Sequence, residues 1–205
     1  MKYLIGLCIL ACSLAPAFGG TITVDFSQAT GDLGATHTYN GVPSGSINAT
    51  AYGALSATGA PPHLFGKAGG GDENGVGLTT DPSGDHEITS NDFIQLDLTG
   101  ITGPVTITMG STTSPEAYTV FGSGSGTDTT IANVLKTCTA GTPNTCENSF
   151  TITPTLRYLD FTATNGNVLL GSLSYSTSSV PEPGTFGIVG LGAVLIGLLR
   201  RKRSV

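Results

Sequence analysis

The sequence predicts an all-β protein, a single antiparallel sandwich or barrel over residues 20–177, set between a targeting segment at each end. Three observations lead there. Short runs of alternating apolar and polar residues recur along the middle of the chain, Gly, Pro, Asn and Asp punctuate them, and no stretch sustains a helical period. Eight or so short strands separated by turn signals are the mark of antiparallel two-layer or closed all-β folds.

The strand candidates, in order, are "TITVDFSQ" from Thr21, "SINATAYG" from Ser46, "FIQLDLTG" from Phe93, "PVTITMG" from Pro104, "AYTVFGS" from Ala117, "NSFTITPT" from Asn148, "LRYLDFTAT" from Leu156 and "NVLLGSLSYS" from Asn167. Each is rich in β-branched or aromatic residues and bounded by turn formers. In "FIQLDLTG" the period of two sends Ile94, Leu96 and Leu98 to the core and Phe93, Gln95 and Asp97 to the opposite face. The last two candidates read as a hairpin around Thr164–Asn167, with Asn165-Gly166 as its tight turn.

The first 19 residues read as a secretory signal peptide. Lys2 supplies the early positive charge, Tyr3 to Leu14 the apolar stretch, and Ala15, Ala17 and Gly19 the small residues that signal peptidase requires. A retained anchor is the alternative, but the apolar run falls short of the ~20 residues that cross a bilayer. A lipoprotein site ending at Cys12 is a second alternative, with Leu10 a poor fit to it.

Export changes the charge balance. Lys67, Lys136 and Arg157 are the only Lys or Arg residues in residues 20–177, against thirteen Asp and Glu. So acidic a body repels polyphosphate, which excludes nucleic acid as a partner, and favours cations as ligands. Of the four cysteines, Cys8 and Cys12 leave with the signal peptide. Cys138 and Cys146 remain, and an isolated pair in an oxidising compartment reads as a disulfide. Closing the ring "CTAGTPNTC" contributes on the order of 2.5 kcal/mol.

The chain ends in "SSVPEPGTFGIVGLGAVLIGLLRRKRSV", residues 178–205. No charge interrupts Gly184 to Leu199, which as a helix of ~1.5 Å per residue reaches roughly 24 Å, a transmembrane length once Arg200, Arg201, Lys202 and Arg203 snorkel. Clustered basic residues stay on the cytoplasmic side, which leaves the body outside the inner membrane. Pro181 and Pro183 keep the preceding segment extended and out of the helix. Val180, Pro181, Glu182 and Pro183, the apolar run and the basic cluster together resemble the PEP-CTERM sorting signal of bacterial surface and exopolysaccharide-associated proteins. The resemblance implies that an exosortase, a membrane-embedded thiol protease, recognises Pro181-Glu182-Pro183 and removes the tail during sorting to the cell surface or extracellular matrix. It covers the last 26 residues and leaves the cargo open.

The body, in turn, resembles the jelly-roll domains of PEP-CTERM proteins and, less specifically, jelly-roll carbohydrate-binding modules, through "GVGLTTDPSGDHEI" from Gly75 and "RYLDFTATNGNVLLGSLSY" from Arg157. Trp is absent, which counts against a sugar-binding module, although Tyr39, Tyr52, Tyr118, Tyr158, Tyr175 and Phe residues can stack sugars in its place.

No spacing selects a catalytic set. His37, His63 and His86 lie far apart in Gly/Pro/Asp-rich stretches and read as exposed loop histidines; "GSGSG", Gly122 to Gly126, lacks the helix that a nucleophile elbow needs and reads as a linker. The one cofactor the sequence raises is calcium. Asp72, Glu73, Asn74, Asp81, Asp85 and Glu87 place oxygen ligands on the Gly-rich stretch 69–87, although its spacing fits no EF-hand and a solvated turn-rich connection is the competing reading. The expectation is therefore a non-enzymatic, exosortase-processed surface or matrix protein associated with adhesion or exopolysaccharide. A secreted carbohydrate-active enzyme or carbohydrate-binding protein on the same fold, and an uncleaved single-span anchored binding protein, are the alternatives.

Overall fold

The structure is a computed structural model, and it describes residues 19–53, 59–113, 115–125, 133–139 and 148–177. The chain divides into two units, one of Thr21–Ser176 and one made of the two ends, of which only residues 19, 20 and 177 are described.

Within Thr21–Ser176 every described strand pairing is antiparallel. The strands are β1 (Thr21–Asp25), β2 (Gly31–Gly34), β3 (Thr36–Val42), β4 (Ser46–Gly53), β5 (Leu64–Ala68), β6 (Asn74–Leu78), β7 (Asp92–Asp97), β8 (Val105–Gly110), β9 (Ala117–Ser123), β10 (Asn133–Thr137), β11 (Ser149–Ile152), β12 (Tyr158–Asn165) and β13 (Leu169–Ser176). One sheet runs β3-β4-β7-β12-β9-β10. The other is centred on β13, with β1 along one edge, β8 and then β11 beyond the other, and the β6-β5-β2 ladder joined at Leu170↔Val76. A short β1–β3 pairing, Thr23↔Val42 and Val24↔Gly41, links the two. The arrangement fits a β-sandwich.

The core follows from the alternation. Ile94, Leu96 and Leu98 of β7 and its exit are buried as the period of two requires, and Ile47, Ala49, Leu159 and Phe161 join them from neighbouring strands. Val24, Ile107, Met109, Leu170 and Leu173 enter the same cluster from the other sheet. A short 3-10 turn, Phe26–Gln28, follows β1; Asp25 caps it by accepting from the Ser27 amide at 2.8 Å, and this drops Phe26 edge-on against Tyr39.

All eight strand candidates form strands, and β2, β3, β5, β6 and β10 are added to them. The predicted hairpin does not form. β12 is already paired on both edges, to β7 and β9, and β13 to β1 and β8, so neither has an edge for the other. Asn165-Gly166 instead carries the chain from one sheet to the other: Gly166 takes φ +64°, Asn165 donates to the Pro115 carbonyl at 2.7 Å, and Val168 exchanges backbone hydrogen bonds with Ile88.

The Gly-rich stretch 69–87 is likewise more than a solvated connection. Gly75, Val76, Gly77 and Leu78 form the buried part of β6. At Gly77 a Cβ would lie 2.0 Å from the His86 carbonyl oxygen, so the strand reaches its place because there is no side chain. "GSGSG" also departs from the linker reading, since Gly122 and Ser123 are the buried end of β9. No helix among the described residues is long and apolar enough to cross a membrane, and the run Gly184–Leu199 lies outside them.

Candidate functional site

The sorting residues Val180, Pro181, Glu182 and Pro183, the basic cluster Arg200, Arg201, Lys202 and Arg203, and the signal segment 1–18 lie outside the described residues, as does Cys146. Cys138 is described. It is buried just after β10, and its amide donates to the Tyr118 carbonyl at 2.8 Å.

The calcium candidates are described and do not converge. Among the described residues no three His, Cys, Asp or Glu side chains are grouped to hold a metal ion. Lys67 on β5 sits between the carboxylates of Glu73 and Glu87, so an ammonium from this chain already supplies the cation those two need. Glu87 also accepts from the Ser111 hydroxyl at 3.1 Å, and Ser111 holds a left-handed backbone, φ +49°, with its amide on the Asp72 carbonyl. The Lys67 hydrogen bond draws the Glu73 carboxyl below its ordinary range. Burial pushes Glu87 up, and it pushes nearby Glu116 up as well. Asp81 instead builds the turn ahead of Glu87, accepting from the Ser83 amide at 2.9 Å and the Glu87 amide at 3.1 Å. Asp72 and Asp85 are exposed.

The three histidines are more engaged than loop residues would be. His37 lies in β3, edge-on to Tyr39; His63 Nδ1 is 3.0 Å from Asp32; His86 stacks on Phe65 at 3.8 Å with a positive φ of 60° and a buried Nδ1 that has no hydrogen-bond partner. Of the tyrosines, Tyr39, Tyr118 and Tyr175 belong to the core, while Tyr52 and Tyr158 are partly exposed.

Those last two point to the face that sequence reasoning missed. Register places Thr38, Asn48, Asp97 and Tyr158 in one row across β3, β4, β7 and β12, and Thr36, Thr50, Gln95 and Asp160 in the next. A third row holds Tyr52 opposite Phe93, stacked at 5.0 Å with rings 11° apart. These rows alternate with core residues, so they form the sheet's opposite face, on which Thr36, Thr38 and Asn48 are exposed while Phe93, Gln95 and Asp160 are buried. Thr36, Thr38, Asn48, Thr50, Gln95, Asp97 and Tyr158, with His37, line an open groove of about 530 Å³, within the ~300–1,000 Å³ of small-molecule sites.

The groove is polar and internally braced. Thr38 donates to Asn48 Oδ1 at 2.6 Å, and Gln95 donates to Asp160 Oδ1 at 2.8 Å. Arg157 grips Asp97 with two bonds, Nε to Oδ1 at 2.9 Å and Nη2 to Oδ2 at 2.6 Å, and lies over the Tyr158 ring. That fork, aided by the Thr99 hydroxyl and amide, holds the Asp97 carboxyl down at about 2. Burial raises the Tyr52 phenol, and the fields of Asp160 and Tyr158 add to it. The signal available in sequence was the polar half of the alternation in "THTYN", "SINATAY" and "FIQLD", which shows its meaning only once the register is known.

Fold and face together define an antiparallel all-β domain with an open polar groove on one sheet. The chain that carries it bears the PEP-CTERM protein-sorting motif, whose family model matches residues 179–203. That motif marks a protein for export and sorting to the cell surface, with exosortase, a membrane protease, as the processing enzyme. No curated protein matches the chain. Among solved structures, the K1 cleaved adhesin domain of Lys-gingipain from Porphyromonas gingivalis W83 is similar at 14% identity, over 79% of this chain and 100% of that chain, with a TM-score of 0.34.

Proposed function

We propose that this chain is an exported, non-enzymatic surface or extracellular-matrix protein that associates with exopolysaccharide or another glycan through the groove across β3, β4, β7 and β12. Signal peptidase removes residues 1–19. The run 184–199 then spans the inner membrane as a helix, held there by Arg200–Arg203, until exosortase acts at Pro181-Glu182-Pro183. Cys138 and Cys146 are joined in the exported form. The observation that carries the reading is the sorting motif over residues 179–203. The groove supports the glycan part, because hydroxyls, amides and Tyr158 gathered on an open face are the groups that bind polyhydroxylated chains.

Intact mass and C-terminal peptide analysis of the protein from an exosortase-bearing host tests it. The expected mature form lacks residues 1–19 and the tail from about Gly184, and is lighter by two hydrogens than the reduced chain. Glu182→Ala is expected to leave a membrane-bound precursor. Recovery of native protein with Val205 intact overturns the processing and makes the chain a simple anchor.

A further inference from the structure

Resting on the glycan-associating reading, we infer that the groove selects an uncharged glycan and binds it as a chain laid across the strands. The rows run perpendicular to the strands, and three inter-strand spacings of about 4.8 Å give a strip of roughly 14 Å, enough for an oligosaccharide segment. The strip is not a patch of one chemistry. With Asn48 Oδ1 taken by Thr38, the Asn48 amide nitrogen is left to donate outward. Gln95 spends its nitrogen on Asp160 and Ser125, which leaves its carbonyl oxygen to accept. The Thr50 and Tyr158 hydroxyls, at the groove wall, do both. A sugar hydroxyl donates and accepts at once, so a mixed set of this kind fits it.

Charge decides between classes of glycan. The groove wall carries one carboxylate, Asp97, which Arg157 already neutralises through both oxygens, and one imidazole, His37, set edge-on against Tyr39. Asp160 is buried beneath Gln95. Lys67 is held by Glu73 and Glu87, and Lys136 is turned to the Phe150 ring. A uronate or sulfate entering the groove would therefore lose water without meeting an uncommitted lysine or arginine, in the field of an acidic domain. An uncharged chain meets no such penalty.

The experiment is affinity electrophoresis of the full 205-residue chain in non-ionic detergent, through gels containing a neutral β-glucan, a neutral mannan or anionic alginate. The detergent-held precursor is used so that binding is read independently of processing. At least one neutral polymer is expected to retard the chain, and alginate is not. Asn48→Ala and the near-isosteric Thr50→Val are each expected to weaken retardation about five- to tenfold, the worth of one hydrogen bond, with unchanged thermal melting. Retardation by alginate alone overturns the selection of uncharged glycan and leaves the glycan reading standing. No retardation by any of the three overturns both. Retardation that both variants retain in full overturns this groove as the site.

Discussion

Asp97 shows how much one side chain carries. Its Oδ1 accepts from Arg157 Nε and from both the amide and hydroxyl of Thr99, while Oδ2 takes Arg157 Nη2 at 2.6 Å. The carboxyl therefore drops from an ordinary 3.8 to about 2. A carboxylate with a folded value below its unfolded one stabilises the fold above its unfolded pKa, and that contribution is lost as pH falls through the folded value. Arg157→Gln is expected to return the Asp97 midpoint toward 3.8 in an NMR pH titration and to lower stability above pH 4. The stability difference should close between pH 4 and 2; a midpoint left near 2 in the variant would mean that Thr99, not Arg157, holds the charge. The period of two in "FIQLDLTG" foretold that Asp97 and Gln95 share a face. It was silent on Arg157 as the partner, because that pairing joins residues 60 apart through the β7–β12 register.

At the scale of elements, sequence reasoning found the strands rich in β-branched and aromatic residues and missed several that are short or broken by glycine. β6 reads as "NGVGL", and four of its five residues are buried, so it offers no polar half to reveal a pleat. β5, "LFGKA", is interrupted by Gly66 and carries Lys67, which looks like a surface charge until the fold encloses it between Glu73 and Glu87. Within the acidic stretch, Glu73 and Glu87 share Lys67 of the adjoining strand as their cation. Lys67→Met is thus expected to cost about 3 kcal/mol near neutral pH, since it strands the buried Glu87 carboxylate beside Glu73. Burial already raises Glu87 above its unfolded value, so its ionisation opposes folding as pH rises. The gap between variant and wild type should be widest near pH 7 and narrow below pH 4, as both glutamates take up protons. Urea unfolding at pH 3, 5 and 7 reads this directly, and a gap that ignores pH would count against the charge argument.

For the whole molecule, the missed hairpin and the closure of the fold have one cause. β13 is the hub of its sheet, flanked by β1 and β8, so the last strand pairs with the first across Thr21↔Ser176 and Val24↔Leu173. Local sequence proposes the neighbour nearest in the chain; the sheet instead assigns β13 a partner about 150 residues away, a choice that only simultaneous burial of Val24 and Leu173 can make. The described fold therefore needs Ser176 in place, where its last described strand ends. The sorting motif begins at residue 179, so its removal takes away none of the described strands and none of the described core side chains. Exosortase processing is then expected to leave stability untouched. Scanning calorimetry of detergent-solubilised precursor and of processed protein in the same detergent should give melting temperatures within about 2 °C, a difference of well under 1 kcal/mol for a domain of this size. Ending the chain after Gly166 should abolish the cooperative transition, because β13 and its ladders to β1 and β8 are then missing. A melting temperature that falls by many degrees on tail removal would show that residues after Thr177 support the fold, which the strand inventory does not predict.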